Sequence, residues 1–411
     1  MSRTIESPLS LNEARDRILA LAEPVEPIEV SLGEAVGLVL AEPVVADVDH
    51  PPFDRANVDG YAVRADEAAA GAVLRLVEPG RAGRASDWSI DVGEAGRVRA
   101  GDPMPPGSDC VARPSTVRPD PDGPTRVIEV LRAAHSNRNV TRRGAHLGAG
   151  TILAAAGTRI RSAMIPLLAS QGCVYPVCHR RVRVAILTVG NQWVGPGEAP
   201  TMNRERNSTN AAVSALLVRS EAMPHDYQSV WGSKIEPALE RASTAPVLII
   251  LGASTRPLVR ALKAINFELV VDRVALEAVG RIRYGVILDD DGKATNHVFH
   301  LPSDPVAASV GFALLVRPLI AHLQGGLAEP IRKMVALAEG ESQPTTRHQA
   351  RIQPATTRVE PDGRWVAESI ASPHDDLLAW SRTDGLMIFP EHSGPWRSGD
   401  LVEYAPLAPS Y

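Results

Sequence analysis

Cysteine is scarce: Cys110, Cys173 and Cys178 are the only three in 411 residues. They are too few and too irregularly spaced for a disulfide framework or a four-ligand zinc site. That leaves them as small buried or half-buried thiols. Excess positive charge is also absent, since the formal net charge is -5. Non-specific capture of nucleic acid or of an acidic membrane surface is therefore disfavoured. Uninterrupted apolar runs are missing too. The longest, SVGFALLVRPLIAHL, is broken by Arg317 and Pro318, and the N-terminal MSRTIESPLS has no apolar stretch of the signal-peptide kind. The expectation is a cytoplasmic protein with no membrane span. No internal repeat or low-complexity segment is visible, so function must come from particular sites.

What is present describes a folded, loop-rich chain of several units. Apolar residues make up 44% and charged residues 22%, with 34 Pro and 32 Gly. At about 100 to 200 residues per domain, three or four units are expected. Ser10, Leu11, Asn12 and Glu13 form a capping box, predicting a helix through about Ala22. Pro24, Pro27 and the run Ile28 to Val30 then switch the pattern to extended chain, with a second short helix expected near Leu32 to Leu40. From about 46 to 140, short runs such as VLRLV and TRVIEVL alternate with Gly, Pro and Asp, which reads as a small all-β unit.

From Arg181 to Gly326 the texture changes. The apolar runs RVRVAILTVG, APVLIILGA and FELVVDRVAL alternate with helical patterns, which predicts a parallel sheet covered on both faces. Asp304 and Pro305 mark the start of a last helix, Gly325 and Gly326 its stop, and Pro318 a kink or break within it. The tail beyond about 330 returns to short strands, GRWV, LMIFP and DLVEY, read as a small β-barrel or sandwich.

The segment HPPFDRANVDGYAVRADE at 50–67 resembles the signature of the molybdopterin molybdenumtransferases, the MoeA type and the E domain of gephyrin, which typically read PPFDNSAMDGYAVR. Pro51, Pro52, Phe53, Asp54 and the run Asp59 to Arg64 match, while Arg55, Ala56, Asn57 and Val58 depart. AGDPMPPGSDCV at 100–111, NVTRRGAH at 139–146, LLASQGC, TVGNQWV, STN at 208–210 and LPSDPVAA at 301–308 are similar, in order, to TGAPLPEGADAV, NVRRRGED, LASLG, TGDEL, DSN and LPGNPVSA. The resemblance implies a multi-domain α/β plus all-β fold, elongated and in four domains. These are an α/β molybdopterin-binding-like domain (1–26 and 178–326), a linking and dimerisation domain (27–45 and 141–177), an inserted β domain (46–140) and a C-terminal β-barrel (327–411). It implies a homodimer whose cleft lies between the α/β domain of one subunit and the β domain of the other. Partners would be molybdopterin or its adenylylated form, with other proteins of molybdenum cofactor biosynthesis.

The implied reaction inserts molybdate into the dithiolene of adenylylated molybdopterin, with Mg²⁺ assisting. Such a site needs carboxylates for a hard cation, and Lys, Arg or helix N-termini for oxyanions. Asp59 is retained, beside Gly60 and Tyr61; taken alone it also reads as a cap for the turn at Gly60. The acidic pair of TGDEL belongs at the C-terminal end of a parallel strand, after Gly190, where ligands bind in open α/β sheets. Here those positions are Asn191 and Gln192, amides without charge. His146 replaces the aspartate of GED and cannot serve as a carboxylate. LGASTRPLV at 251–259 keeps Gly252 and Ser254 of a Gly-Gly-x-Ser-x-Gly-Asp-Tyr-Asp loop, is shortened, has no acid and carries Arg256.

The two lysines of KPGKP become Glu277 and Gly280; Arg281 and Arg283 lie nearby, though an Arg shifted by one position along a strand points to the opposite face. Pro302 and Pro305 persist, while Ser303 and Asp304 replace Gly and Asn, which sets a carboxylate at a helix start where a dianion would sit. Ser208, Thr209 and Asn210 either cap the next helix or hydrogen-bond a pterin. No convincing metal-ligand set stands out.

Two readings follow: a molybdenumtransferase with a remodelled, weak or lost activity, or a non-catalytic relative serving as pterin-binding carrier, regulator or scaffold. A nucleotide-binding enzyme of unrelated chemistry ranks last, because no Gly-rich phosphate loop follows a strand.

Overall fold

The computed structural model describes residues 7–77, 88–120, 126–277, 279–326, 334–340, 349–370 and 376–407. The expectations for the first six residues, for Ala278 and for the seam at 327–333 lie outside the described residues.

The first helix, Leu11–Leu19, starts on the expected capping box: Glu13 N donates to Ser10 Oγ at 3.3 Å, and Ser10 N donates to Glu13 Oε2 at 2.9 Å. It buries Ala14 and Ile18, one turn apart, against the α/β core. It ends earlier than Ala22, at a cap on Ala20. The helix expected near Leu32 to Leu40 does not form. Turns occupy most of that stretch before the strand Val39–Leu40. Gly37 sits at φ +89, a left-handed conformation that a helix cannot pass through.

A three-stranded antiparallel sheet joins Pro27–Glu29, Val177–His179 and Val39–Leu40, with Ile28 opposite Cys178. Val44–Val45 pairs with Ile152–Ala154 beside it. The sheet packs Ala35, Leu38, Leu40, Ala154, Ile160 and Leu168 into a small core.

Between the two halves of that unit stands the all-β unit, a six-stranded sheet in the order Cys110–Ala112, Gly60–Val63, Glu94–Val98, Val73–Val77, Val127–Val130, Val117–Asp120. Its side chains alternate between a core of Val63, Leu74, Ala95 and Ile128 and the opposite face.

The α/β sheet has the order Met223–Val230, Arg183–Val189, Val247–Gly252, Ala294–Leu301, Arg283–Leu288, Phe267–Val271. The first four strands are parallel, as expected, but Arg283–Leu288 runs against both its neighbours, so that Phe267–Val271 points the same way as the first four; that one reversed strand corrects the wholly parallel reading. The cause is local. Asp289 to Lys293 form a tight turn in which Asp289 Oδ1 accepts the amides of Asp291 and Lys293, at 3.1 and 2.8 Å. A turn that short makes a hairpin and has no room for a crossover helix. Both faces are covered. Val184, Ile186, Val247 and Ile249 pack on one side against Ser208–Arg219 and the last helix, while Ala185, Leu187, Leu248 and Ile250 face Ile235–Ala242 and Arg256–Ala264.

That last helix runs Pro305–Leu323, and 83% of its most apolar window is buried in the protein interior; by length and composition alone it is the one described helix long and apolar enough to cross a membrane. Its cap is Asp304, whose Oδ1 accepts Ala307 N at 2.6 Å. Of the kink or break expected at Pro318, the break does not occur: a π-helical stretch, Phe312–Val316, precedes the proline and the α-helix resumes at Arg317–Leu323. The wider turn accommodates the ring and the missing amide of Pro318 without ending the helix.

The tail closes on itself. Ala350–Val359, Trp365–Ser369, Met334–Glu339, Leu401–Pro406 and Gly385–Phe389 pair in a ring, the last strand returning to the first to make a five-stranded barrel. Four inward alanines, Ala336, Ala338, Ala355 and Ala367, leave room for Tyr404 and for the stacked pair Phe389 and Trp396, whose rings are 5.5 Å apart. Leu276–Glu277, from the α/β unit, adds a parallel strand to the barrel sheet.

Candidate active site

Three loops leave the C-terminal ends of adjacent parallel strands: Gly190 to Gln192 after Arg183–Val189, Ala253 to Thr255 after Val247–Gly252, and Pro302 to Asp304 after Ala294–Leu301. The register puts Val189 opposite Gly252 and Leu251 opposite Leu301, so the three loops share one rim. The helix after the first strand covers one face of the sheet and the helix after the second covers the other. That reversal opens a crevice between them, the usual ligand position in an open α/β sheet. The crevice thus gathers Gly190, Asn191, Gln192, Gly252, Ser254, Pro302, Ser303, Asp304 and Pro305, all singled out from the sequence.

Gly252 is required by its surroundings. Its φ is +105, and a Cβ there would stand 2.4 Å from the Val189 carbonyl oxygen. Ser254 and Arg256 are exposed, and the helix Arg256–Ala264 is capped by Thr255, whose hydroxyl accepts Leu258 N at 3.4 Å. The next helix, Ser208–Arg219, is capped by Asn207, one residue before the expected Ser208: Asn207 Oδ1 accepts Asn210 N at 3.0 Å and its amide donates to Thr188 Oγ1 at 2.9 Å. Thr209 and Asn210 are buried. Thr209 donates to the Ser303 carbonyl, and Asn210 Nδ2 to Asp226 Oδ1 at 2.9 Å. These bonds tie the start of the helix to the Ser303 loop and to the strand Met223–Val230.

The replacements for the lysine segment are already engaged. Glu277 accepts Arg351 Nε at 2.8 Å and Nη2 at 3.1 Å, a two-point contact between the α/β unit and the barrel. Arg281 and Arg283 both reach Asp272, the latter through Nε at 3.0 Å. Burial alone raises the Asp272 carboxyl, but the two guanidiniums hold it below its ordinary range. Gly280 lies against Pro302, where a Cβ would sit 3.2 Å from the ring.

His300, unnoticed in the sequence, pairs with Arg283 across the strands and donates from Nε2 to the Gly252 carbonyl at 2.7 Å. Burial pushes its imidazole down, and Arg283 and Arg281 add to that, against the Gly252 hydrogen bond. A lone His inside an apolar strand gives no sequence signal of this kind.

The chain does not itself bring Asp59 or His146 to this rim. Asp59 is exposed and accepts Ala100 N at 2.8 Å, so it ties a neighbouring loop rather than the turn at Gly60. Gly60 lies where a Cβ would meet the Ala112 carbonyl oxygen at 2.2 Å, and Tyr61 pairs with Ala112 and Arg97. His146 is exposed, with its amide on the His50 carbonyl at 3.0 Å. The two best-matched segments prove to be one structural unit: Asp54 of PPFD accepts Arg143 N at 2.7 Å and the Arg142 guanidinium, and Arg55–Ala56 pairs with Val140–Thr141. Burial raises the Asp54 carboxyl, but these two donors hold it below its ordinary range. Cys110 and Cys178 are buried, which pushes their thiols up to about 12 and about 11, so neither is a ready nucleophile.

Residues 9–172 match the family model described as the MoeA N-terminal region (domain I and II). Molybdopterin molybdenumtransferase 1 of Mycobacterium tuberculosis is 30% identical over 97% of this chain and 99% of its own length. The chain belongs to the MoeA family. Within that family, the molybdopterin molybdenumtransferase of Haemophilus influenzae is 28% identical over 77% of this chain and 78% of its own length. The crystal structure of a molybdopterin biosynthesis MoeA protein from Pyrococcus horikosii superposes with a TM-score of 0.85 at 23% identity, covering 98% of this chain and 100% of that one. The multi-domain α/β plus β-barrel architecture is therefore that of the MoeA proteins.

This MoeA chain is poorly provided for a divalent cation at the crevice. The donors at the rim are the amides of Asn191 and Gln192 and the single carboxylate of Asp304, whereas Mg²⁺ prefers carboxylate and phosphate oxygens. Among the described residues no group of three or more His, Cys, Asp or Glu side chains converges on a point. The residues present do not fit the cation that the family resemblance implies.

Proposed function

We propose that this MoeA protein acts in molybdenum cofactor biosynthesis by binding molybdopterin or its adenylylated form, and that its molybdate-insertion activity is weak or lost. The observation that carries this reading is the rim itself. It keeps the crevice, Gly190, Gly252 and the helix cap at residue 304, while the positions of the acidic pair hold the amides Asn191 and Gln192 and the lysine positions hold Glu277, bound to Arg351, and Gly280. Binding by shape and hydrogen bonds survives such changes. Stabilising a departing adenylate and holding Mg²⁺ and molybdate does not, because those steps depend on preorganised charge.

The working unit in this reading is a homodimer, in which Asp59, Gly60, Tyr61 and His146 of one subunit face the crevice of the other. An exposed apolar set on the linking unit supports it: Val45 and Ile152 are cross-strand neighbours, 46% and 63% exposed, and Val174 and Tyr175 are 57% and 64% exposed. The test is sedimentation of the purified protein together with titration by molybdopterin, with and without the adenylate. A dimer that binds both is expected. A monomer, or a dimer that binds neither, overturns the proposal.

A further inference from the structure

Two buried polar atoms at the crevice have no partner among the described residues: Trp193 Nε1 and Asp304 Oδ2. The first can only donate a hydrogen bond and the second is a carboxylate oxygen that accepts one. Buried groups of this kind are almost always paired, so each calls for an explanation. They belong to one rim. Val194 O accepts Asn207 N at 3.0 Å, which sets Trp193 beside the start of the helix Ser208–Arg219. One residue into that helix, Thr209 donates to the Ser303 carbonyl, next to Asp304. The indole packs on the strand end, with Nε1 3.1 Å from where a Cβ of Gly190 would stand. Asp304 is held in place through its other oxygen, which accepts Ala307 N at 2.6 Å.

We propose that Asp304 and Trp193 are the specificity-determining residues of this crevice and that they read the heterocyclic head of molybdopterin rather than its phosphate end. Asp304 Oδ2 accepts a ring N–H or an amino hydrogen, and the Trp193 indole donates to a ring nitrogen or carbonyl. A 2-amino-4-oxopteridine carries donors and acceptors side by side on one edge and satisfies both atoms. Molybdate and a phosphate-ester dianion carry acceptors only; they satisfy Trp193 but leave the Asp304 oxygen unpaired, and inorganic phosphate, though it keeps a hydroxyl, meets like charge there. This assignment rests on the molybdopterin-binding function proposed above.

The test is equilibrium fluorescence titration of the full-length protein with 2-amino-4-oxopteridine, free of metal and adenylate, so that turnover plays no part. Asp304→Asn keeps the cap but turns an amide N–H donor toward the ligand's donor, and a loss of tenfold or more in affinity is expected. Trp193→Phe keeps the ring and removes the donor, with an expected loss of about fivefold, in the range of a single hydrogen bond. Inorganic phosphate should bind Asp304→Asn at least as well as the parent. Pteridine affinity unchanged in both variants overturns the assignment. So does a parent that binds adenylylated molybdopterin but not the pteridine; that outcome leaves the proposed function standing.

Discussion

Restoring the family's lysine at residue 277 is the obvious repair of this crevice, and the structure predicts that it damages the protein. Glu277 and Arg351 meet in a two-point contact with side chains only 23% and 18% exposed, at the place where Leu276–Glu277 adds to the barrel sheet. Removing one partner of a buried pair costs about 3–5 kcal/mol and of an exposed pair about 0–1 kcal/mol, so a half-buried pair lies near 2 kcal/mol. Glu277→Lys also sets cation against cation. A loss of about 2 kcal/mol corresponds to an opening roughly thirtyfold more frequent. The assay is amide hydrogen exchange of the strand Ala350–Val359, which should accelerate by about that factor in E277K. The charge-swapped double variant E277K/R351E should regain at least half of the protection, as a double-mutant cycle requires of a real coupling. Parental exchange in E277K, or no recovery in the double variant, refutes the reasoning.

The buried pair Tyr284 and His297, 2.8 Å apart, predicts acid sensitivity. Burial pushes His297 down from 6.5 to about 4, so between those values the unfolded chain binds more protons and stability falls as pH drops. The full effect is about 3 kcal/mol and roughly 2 kcal/mol of it is lost by pH 5. Urea unfolding of the α/β unit at pH 7 and pH 5 should show that loss, and His297→Asn should flatten it; an equal pH slope in both proteins contradicts the assignment. Gly252→Ala forces a left-handed residue into the Val189 carbonyl and should cost about 2 kcal/mol or more. Faster amide exchange in Arg183–Val189 and Val247–Gly252 is the readout, and parental exchange is the contrary result.

The parts of the fold that were legible in the sequence are those fixed by local chemistry: the capping box at Ser10, the cap at Asp304, and the alternation of apolar strands with amphipathic helices that makes the parallel half of the sheet. The errors arise where local pattern and longer-range geometry compete. Leu32 to Leu40 has a helical composition but passes through Gly37 in a left-handed turn. FELVV keeps the direction of the parallel strands, but its neighbour Arg283–Leu288, turned back by the hairpin at Asp289, lies between it and them. Pro318 reads as a kink or break, and a π-helical stretch carries the helix past it unbroken.

At the site, the rim residues were legible because Gly190, Gly252 and the Pro302 segment fall at strand ends. Their partners were not. Asp272 neutralises Arg281 and Arg283 from a loop, Arg351 reaches Glu277 from 74 residues away, and His300 acts through a backbone carbonyl. Such pairings depend on tertiary register, which no spacing in the chain encodes.

The most direct measurement is the rate of molybdenum insertion by the purified protein with adenylylated molybdopterin, Mg²⁺ and molybdate, beside a MoeA relative that retains the acidic pair and both lysines. Loss of one preorganised charge costs about a hundredfold or more in rate, so a rate at least that far below the relative is predicted. Turnover comparable to that relative, abolished by Asp59→Asn, would contradict the account.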